Sequence, residues 1–323
     1  MKTKTDTSII RRDGAIRLSF AEKEQICESN FYAGGPFWHL YTDGRMMQDI
    51  FLSEDDFKAG MAVLAVTICL FSEVKVVTFE IMTNHLHIIT AGEKQKCLLM
   101  FDTFKDKLKR VFAKSERAID WNAFQAEILP IEDLKALRNE IIYVNRNGYV
   151  ARHDCTPFTY PWGAGAAFFN NIIRLIPSTR YSELTIRQKR EICKSKDIDL
   201  PGELRVYNGV IPPSSYCILK KAEQMFRDPH HYFNMLSKNW EAYSEIAKRL
   251  GDTITITDEE MYGAVCALST KEFGCKNPRL LSPENKVMLA RRMKSEYNAS
   301  SKQIRSILKL NQDIVEEMFG KYA

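Results

Sequence analysis

The chain has no Cys-x-x-Cys pair. Its eight cysteines, Cys27, Cys69, Cys97, Cys155, Cys193, Cys217, Cys266 and Cys275, are scattered along the sequence. That spacing excludes a zinc knuckle and supplies no disulfide framework, so they read as reduced thiols of a cytoplasmic protein. Long apolar runs are missing too. The longest, Met61 to Phe71, is too short to span a bilayer, and Met1 to Ala15 lacks the apolar core of a signal peptide. A large charge excess is also absent: the formal charge is +5 with pI near 8.6, which permits polyanion binding without demanding it. The 323 residues, 45% apolar and 27% charged, match a soluble globular protein with room for a catalytic domain and one or two appendages.

Against that background the stretch Ile81 to Thr90 stands out, because it places His85, Leu86 and His87 in an apolar, strand-like run. Side chains alternate along a strand, so both imidazoles project to one side and Leu86 to the other. Two imidazoles on one rigid face make half of a metal site. The same pattern arises from two ordinary half-buried histidines. His39, His153, His230 and His231 have no partners at ligand spacing and read as structural or surface residues.

The surrounding pattern predicts a fold. Residues to Gly35 form a polar extension with one short helical segment. Phe37 to Thr42 reads as a first strand, and Ser53 with Glu54, Asp55 and Asp56 opens a helix whose buried face carries Phe57, Met61, Leu64, Ile68 and Phe71. Glu73 to Met82 and His85 to Thr90 pair as a hairpin. A basic helix follows from Lys94 to Lys114, whose Lys105, Lys107, Lys109, Arg110 and Lys114, with Arg117 beyond, offer a face for phosphates if they lie beside a metal site. Phe124 to Leu129 is a fourth strand. This order predicts an α+β, ferredoxin-like antiparallel sheet with helices on one face, followed by a mostly helical C-terminal region.

A third helix is expected from Ile131, after Pro130, to Asn147, ended by Gly148. Its apolar stripe is Ile131, Leu134, Leu137, Ile141 and Val144, with Tyr143 roughly opposite the stripe's centre and Asn147 one turn beyond it. A tyrosine off the apolar stripe is a candidate nucleophile or a surface residue. Tyr149 is the runner-up, beyond Gly148.

Met82-Thr83-Asn84-His85-Leu86-His87 resembles the His-hydrophobe-His motif of single-tyrosine HUH transposases, and Tyr143 to Asn147 resembles their tyrosine helix. Tyr160-Pro161-Trp162, and Asp49-Ile50-Phe51 with the acidic helix start, resemble the REP-associated tyrosine transposase branch. The resemblance covers roughly Phe37 to Phe169. Thr83 stands where the family usually has proline, and Gly148 where the branch has proline after asparagine. The resemblance implies that Tyr143 attacks a DNA phosphodiester to form a 5′-phosphotyrosine link. It also implies that His85, His87 and Asn147 hold a divalent ion, magnesium or manganese, and that the substrate is single-stranded or hairpin DNA. A homodimer is one expectation and a monomer the other, since related enzymes work in both forms.

Residues 36–176 are thus expected to form the catalytic domain, 177–280 a helical middle region, and 281–323 either a helix-turn-helix-like unit with Asp313 to Phe319 as its recognition helix or a three-helix structural cap, since that last helix is acidic. Two other functions fit the same residues: a DNA-binding regulator that no longer cuts, and a metallohydrolase that uses the histidine pair with water as nucleophile.

Overall fold

The computed structural model describes residues 18–45, 47–113, 115, 117–152, 155–238, 240–252 and 256–320. The polar segment Met1 to Ala15, together with Lys114 and His153, lies outside the described residues. A first helix, α1 (Phe20–Ala33), precedes strand β1 (Phe37–Thr42), helix α2 (Glu54–Leu70), the hairpin β2 (Lys75–Ile81) and β3 (Leu86–Ala91), helix α3 (Lys94–Phe112), strand β4 (Ala126–Ile131) and helix α4 (Leu134–Ala151). The sheet order is β2-β3-β1-β4 with every neighbour antiparallel, which is the ferredoxin-like arrangement expected of this element order.

Register divides the sheet into two faces. His87 pairs with Tyr41 and with Glu80, and His39 pairs with Ile89, so these side chains share one face. Leu40, Phe79, Ile81, Leu86, Ile88 and Thr90 share the other, where α2 and α3 pack: Thr90 donates to Cys97 of α3, and Ile81 lies against Gly60 of α2. The basic helix α3 therefore lies on the face opposite His87, and Lys107 pairs with Asp197 instead of lining the histidine site. Side-chain alternation along β3 decides this, because α3 follows the face that receives Leu86 and Ile88.

The histidine face is covered by α4. Its start differs from expectation: Pro130 and Ile131 belong to β4, an edge strand that tolerates a missing N–H, and the helix is capped by Asp133, which accepts from Ala136 N–H. Its end differs as well. The helix runs through Gly148, where an added Cβ would lie 2.2 Å from Tyr160 and 2.6 Å from Glu80. Gly148 is a close-packing residue here and not a terminator. Both stripes of α4 are buried, because the sheet packs on one side while α1, α8 and α9 pack on the other.

The Tyr160-Pro161-Trp162 segment caps the free edge of β2. Ile81 N–H donates to the Trp162 carbonyl, Ala164 N–H to the Phe79 carbonyl, and the Tyr160 hydroxyl to the Ile81 carbonyl at 2.6 Å. An exposed strand edge is thereby paired, and the far end of α4 is fixed to the sheet.

The remainder comprises α5 (Asn171–Leu175), strands β5 (Thr179–Arg180) and β6 (Arg205–Val206) flanking α6 (Ile186–Cys193), then α7 (Leu219–Glu223), α8 (Pro229–Lys238) and α9 (Trp240–Leu250). These share the hydrophobic core of the sheet, which extends to Leu250. A second core runs from Ile256 to Val315, within α10 (Asp258–Phe273), α11 (Pro283–Tyr297), α12 (Ser301–Leu308) and α13 (Gln312–Phe319). Among the described residues no helix is long and apolar enough to cross a membrane.

Candidate metal centre and nucleophile

His85 ends the turn between β2 and β3, and His87 is the second residue of β3. Ile50 and Phe51 both donate their N–H groups to the Thr83 carbonyl at 2.8 Å, which fixes that turn against the loop before α2. Asn84 donates its amide to the carbonyls of Gly44 at 2.7 Å and Met47 at 3.3 Å, so its oxygen faces the neighbouring ring. That oxygen lies 2.7 Å from His85 Nδ1, which must then carry the proton and leave Nε2 with a free lone pair. Burial, and next the neighbouring His87 ring, depress His85 to about 4, so it is a neutral donor at physiological pH.

The third member is Asp252, two residues after α9. Gly251, at φ +71°, turns the chain there, and Asp252 N–H caps the helix on the Ala247 carbonyl at 2.8 Å. One donor atom from each of His85, His87 and Asp252 lies within 4.8 Å of the other two. A cation held about 2 Å from each donor spaces them roughly 3–4 Å apart, so small side-chain adjustments close the set. His87 Nε2 sits 3.0 Å from Asp252 Oδ2, yet it is buried with no hydrogen-bond partner. A bare imidazole nitrogen facing a carboxylate is the arrangement that a cation satisfies. Two nitrogens and an anionic oxygen suit a divalent ion with mixed ligation.

Tyr143 is buried, which its position off the apolar stripe did not suggest. The covered polar stripe of α4 carries Glu140, Tyr143 and Asn147 toward the histidine face. The Tyr143 ring packs edge-on to His87 with centroids 5.4 Å apart, and its hydroxyl donates to Asp252 Oδ2 at 2.6 Å. The phenol therefore shares one carboxylate oxygen with His87. Burial, then the Asp252 charge and the hydrogen bond to it, hold the phenol well above its ordinary value, while the Asn147 amide acts in the opposite direction. Burial alone would raise the Asp252 carboxyl. The close approach of the His87 and His85 rings and the hydrogen bond from the Tyr143 hydroxyl outweigh it and hold Asp252 below the usual carboxylate range.

Asn147 lines an open cleft of about 260 Å³ together with Asn84, His85, Arg45 and Asp252. The structure thus gathers all four expected residues, with Asn147 beside the phenol and Asp252 as the carboxylate nearest the imidazoles. Tyr149 is half-buried against Arg146 and Glu260, and burial raises it to about 12. His230 and His231 lie on α8, bonded to Asn234 and to the Arg227 backbone.

Two residues of the candidate site escaped the sequence reading. Asp252 follows a helix with no motif around it, and only its Gly-Asp turn after α9 offered a signal. His39 is fully buried on β1, with Nε2 3.0 Å from His87 Nδ1 and Nδ1 2.8 Å from Glu140 Oε2. Pairing β1 with β3 in register would have shown that it shares a face with His87. No family model, curated protein or solved structure matches the chain.

Proposed function

We propose that the protein is a metal-dependent DNA strand transferase that cleaves and rejoins single-stranded or hairpin DNA through a covalent bond to Tyr143. The observation that carries this reading is the Tyr143 hydroxyl hydrogen-bonded to the same carboxylate oxygen that faces His87. A hydrolase that activates water has no use for a phenol at that position.

His85, His87 and Asp252 would hold the ion, with Asn147 beside them on the nucleophile side. When bound, a divalent ion polarises the phosphate and neutralises charge that develops on its oxygens. The chain's residues do the rest. Tyr143 is kept a neutral phenol by burial, so it is not spent in side reactions before a phosphate arrives. Asp252 Oδ2, 2.6 Å away, holds the phenolic O–H in place, and the phenolic proton passes to solvent in the open cleft as the oxygen attacks. The phenolic oxygen bonds to phosphorus, the bond from phosphorus to the 3′-oxygen breaks, and the 3′-oxygen leaves with a proton from solvent. Reversal restores the strand, so no nucleotide cofactor is consumed.

Incubation of the full chain with single-stranded hairpin DNA and manganese tests this. Wild type should yield a covalent protein–DNA adduct resistant to denaturation, and Tyr143→Phe should yield none. An adduct that survives in Tyr143→Phe excludes this nucleophile. Cleavage without an adduct supports the hydrolase, and binding without cleavage supports a non-cutting regulator.

A further inference from the structure

Three side chains behind His87 have no part in the reaction above, yet they are joined end to end: His39 and Glu140 are buried, and Arg249 closes the row from the exposed side. Arg249, in the last turn of α9, pairs with Glu140 Oε1. Glu140 Oε2 lies 2.8 Å from His39 Nδ1, and His39 Nε2 lies 3.0 Å from His87 Nδ1. Glu140 is 2% exposed, and His39 and His87 are 0% exposed. The chain of contacts crosses α9, α4, β1 and β3.

The proton positions follow from donor and acceptor counting. An ionised carboxylate only accepts, and Glu140 is kept ionised by the guanidinium on its other oxygen, so His39 Nδ1 carries a proton. His39 Nε2 and His87 Nδ1 face each other at 3.0 Å, so a single proton lies between them. A cation on His87 Nε2 requires that proton on His87 Nδ1, with His39 Nε2 as the acceptor. His87 Nε2 is left bare, and it is the atom that faces Asp252 without a hydrogen-bond partner.

We propose that His39 is a positioning residue for the metal centre: backed by Glu140 and Arg249, it fixes the His87 tautomer so that Nε2 is the ligand atom. This deepens the proposed function and rests on its metal site. Outer partners of this type hold the ring orientation and raise ligand basicity, and their loss weakens metal binding about 10- to 100-fold. Because Arg249 and Asp252 lie within four residues, one segment after the sheet domain supplies both the far anchor of this chain and the carboxylate of the cluster. Docking of α9 and assembly of the metal site are therefore a single event.

The test compares manganese binding, read by electron paramagnetic resonance of the free ion, in wild type, His39→Leu and His39→Gln, each shown to be folded by circular dichroism. Glutamine places an amide oxygen near the position of Nε2 and accepts from His87, whereas leucine cannot. His39→Leu should weaken binding 10- to 100-fold, and His39→Gln should stay within about threefold of wild type. Equal affinity in wild type and His39→Leu overturns the proposal, and so does a glutamine variant as weak as the leucine one. If His39→Leu does not fold, histidine ring nitrogen NMR of metal-free wild type at mildly alkaline pH decides alone. A protonated His87 Nδ1 with a bare Nε2 supports the proposal, and the reverse tautomer overturns it. Wild type that binds no manganese removes the metal centre and this proposal together. Wild type that binds manganese but forms no DNA adduct removes strand transfer and leaves the positioning role standing.

Discussion

One face of the sheet presents Leu40, Phe79, Leu86 and Ile88 to α2 and α3. The other presents His39, Tyr41, Glu80 and His87 to α4, and no member of either set is more than 5% exposed. Burial of each apolar side chain contributes about 1.5–3 kcal/mol. Burial of the polar ones costs stability unless every donor and acceptor is met. On the histidine face two atoms are not met, Glu80 Oε2 and His87 Nε2. The apolar face does what folding requires. The polar face keeps groups that folding alone would not select, and those groups surround the proposed metal centre.

The division makes opposed predictions for the two faces. Ile88→Ala on the apolar face should destabilise by about 2–5 kcal/mol in denaturant unfolding, because it opens a cavity in packed core. Manganese affinity per folded molecule should be unchanged. Asp252→Asn, which removes the anionic donor of the cluster, should lower manganese affinity on the order of 100-fold, about 2.7 kcal/mol, as read by calorimetric titration. Lost affinity in Ile88→Ala, or retained affinity in Asp252→Asn, would show that the two faces do not divide the work in this way.

Most of the sheet was legible because its periodicities are local. The capping box at Ser53 and the β2–β3 hairpin follow from residues within a few positions of one another. The histidine pair and the tyrosine were legible as types. What the sequence could not yield depends on tertiary contact. Asp252 meets Tyr143 across 109 positions, and His39 meets His87 across 48. Gly148 reads as a helix terminator by propensity. It stays helical because Tyr160 and Glu80 occupy the space that a side chain would need. Tyr143 reads as off-stripe because periodicity finds only the apolar face of a helix. A helix sandwiched between a polar sheet face and other helices buries both.

The smallest effect sharpens the comparison most, because it asks whether the polar face costs stability. Glu80 pairs across the strands with His87 and lies against Gly148, Gly163 and Gly165. Burial pushes its carboxyl well above 4.5, opposed only by a backbone hydrogen bond from Gly165. A group whose folded value is raised contributes stability that is fully present below the unfolded value and is lost as pH rises through the folded one. Glutamine has nearly the same shape and nothing to titrate. Glu80→Gln should therefore match wild type in stability near pH 4.5 and exceed it at mildly alkaline pH by on the order of 1 kcal/mol, measured by thermal unfolding across that range. A variant less stable than wild type at alkaline pH would mean that the ionised carboxylate is held by a partner and that this part of the histidine face is not under strain. A gap that widens with pH would place an electrostatic penalty directly across the strand from His87. It would also explain why glycines, Gly148 of α4 and Gly163 and Gly165 of the segment after Trp162, stand against that carboxyl, since side chains at those positions would collide with it.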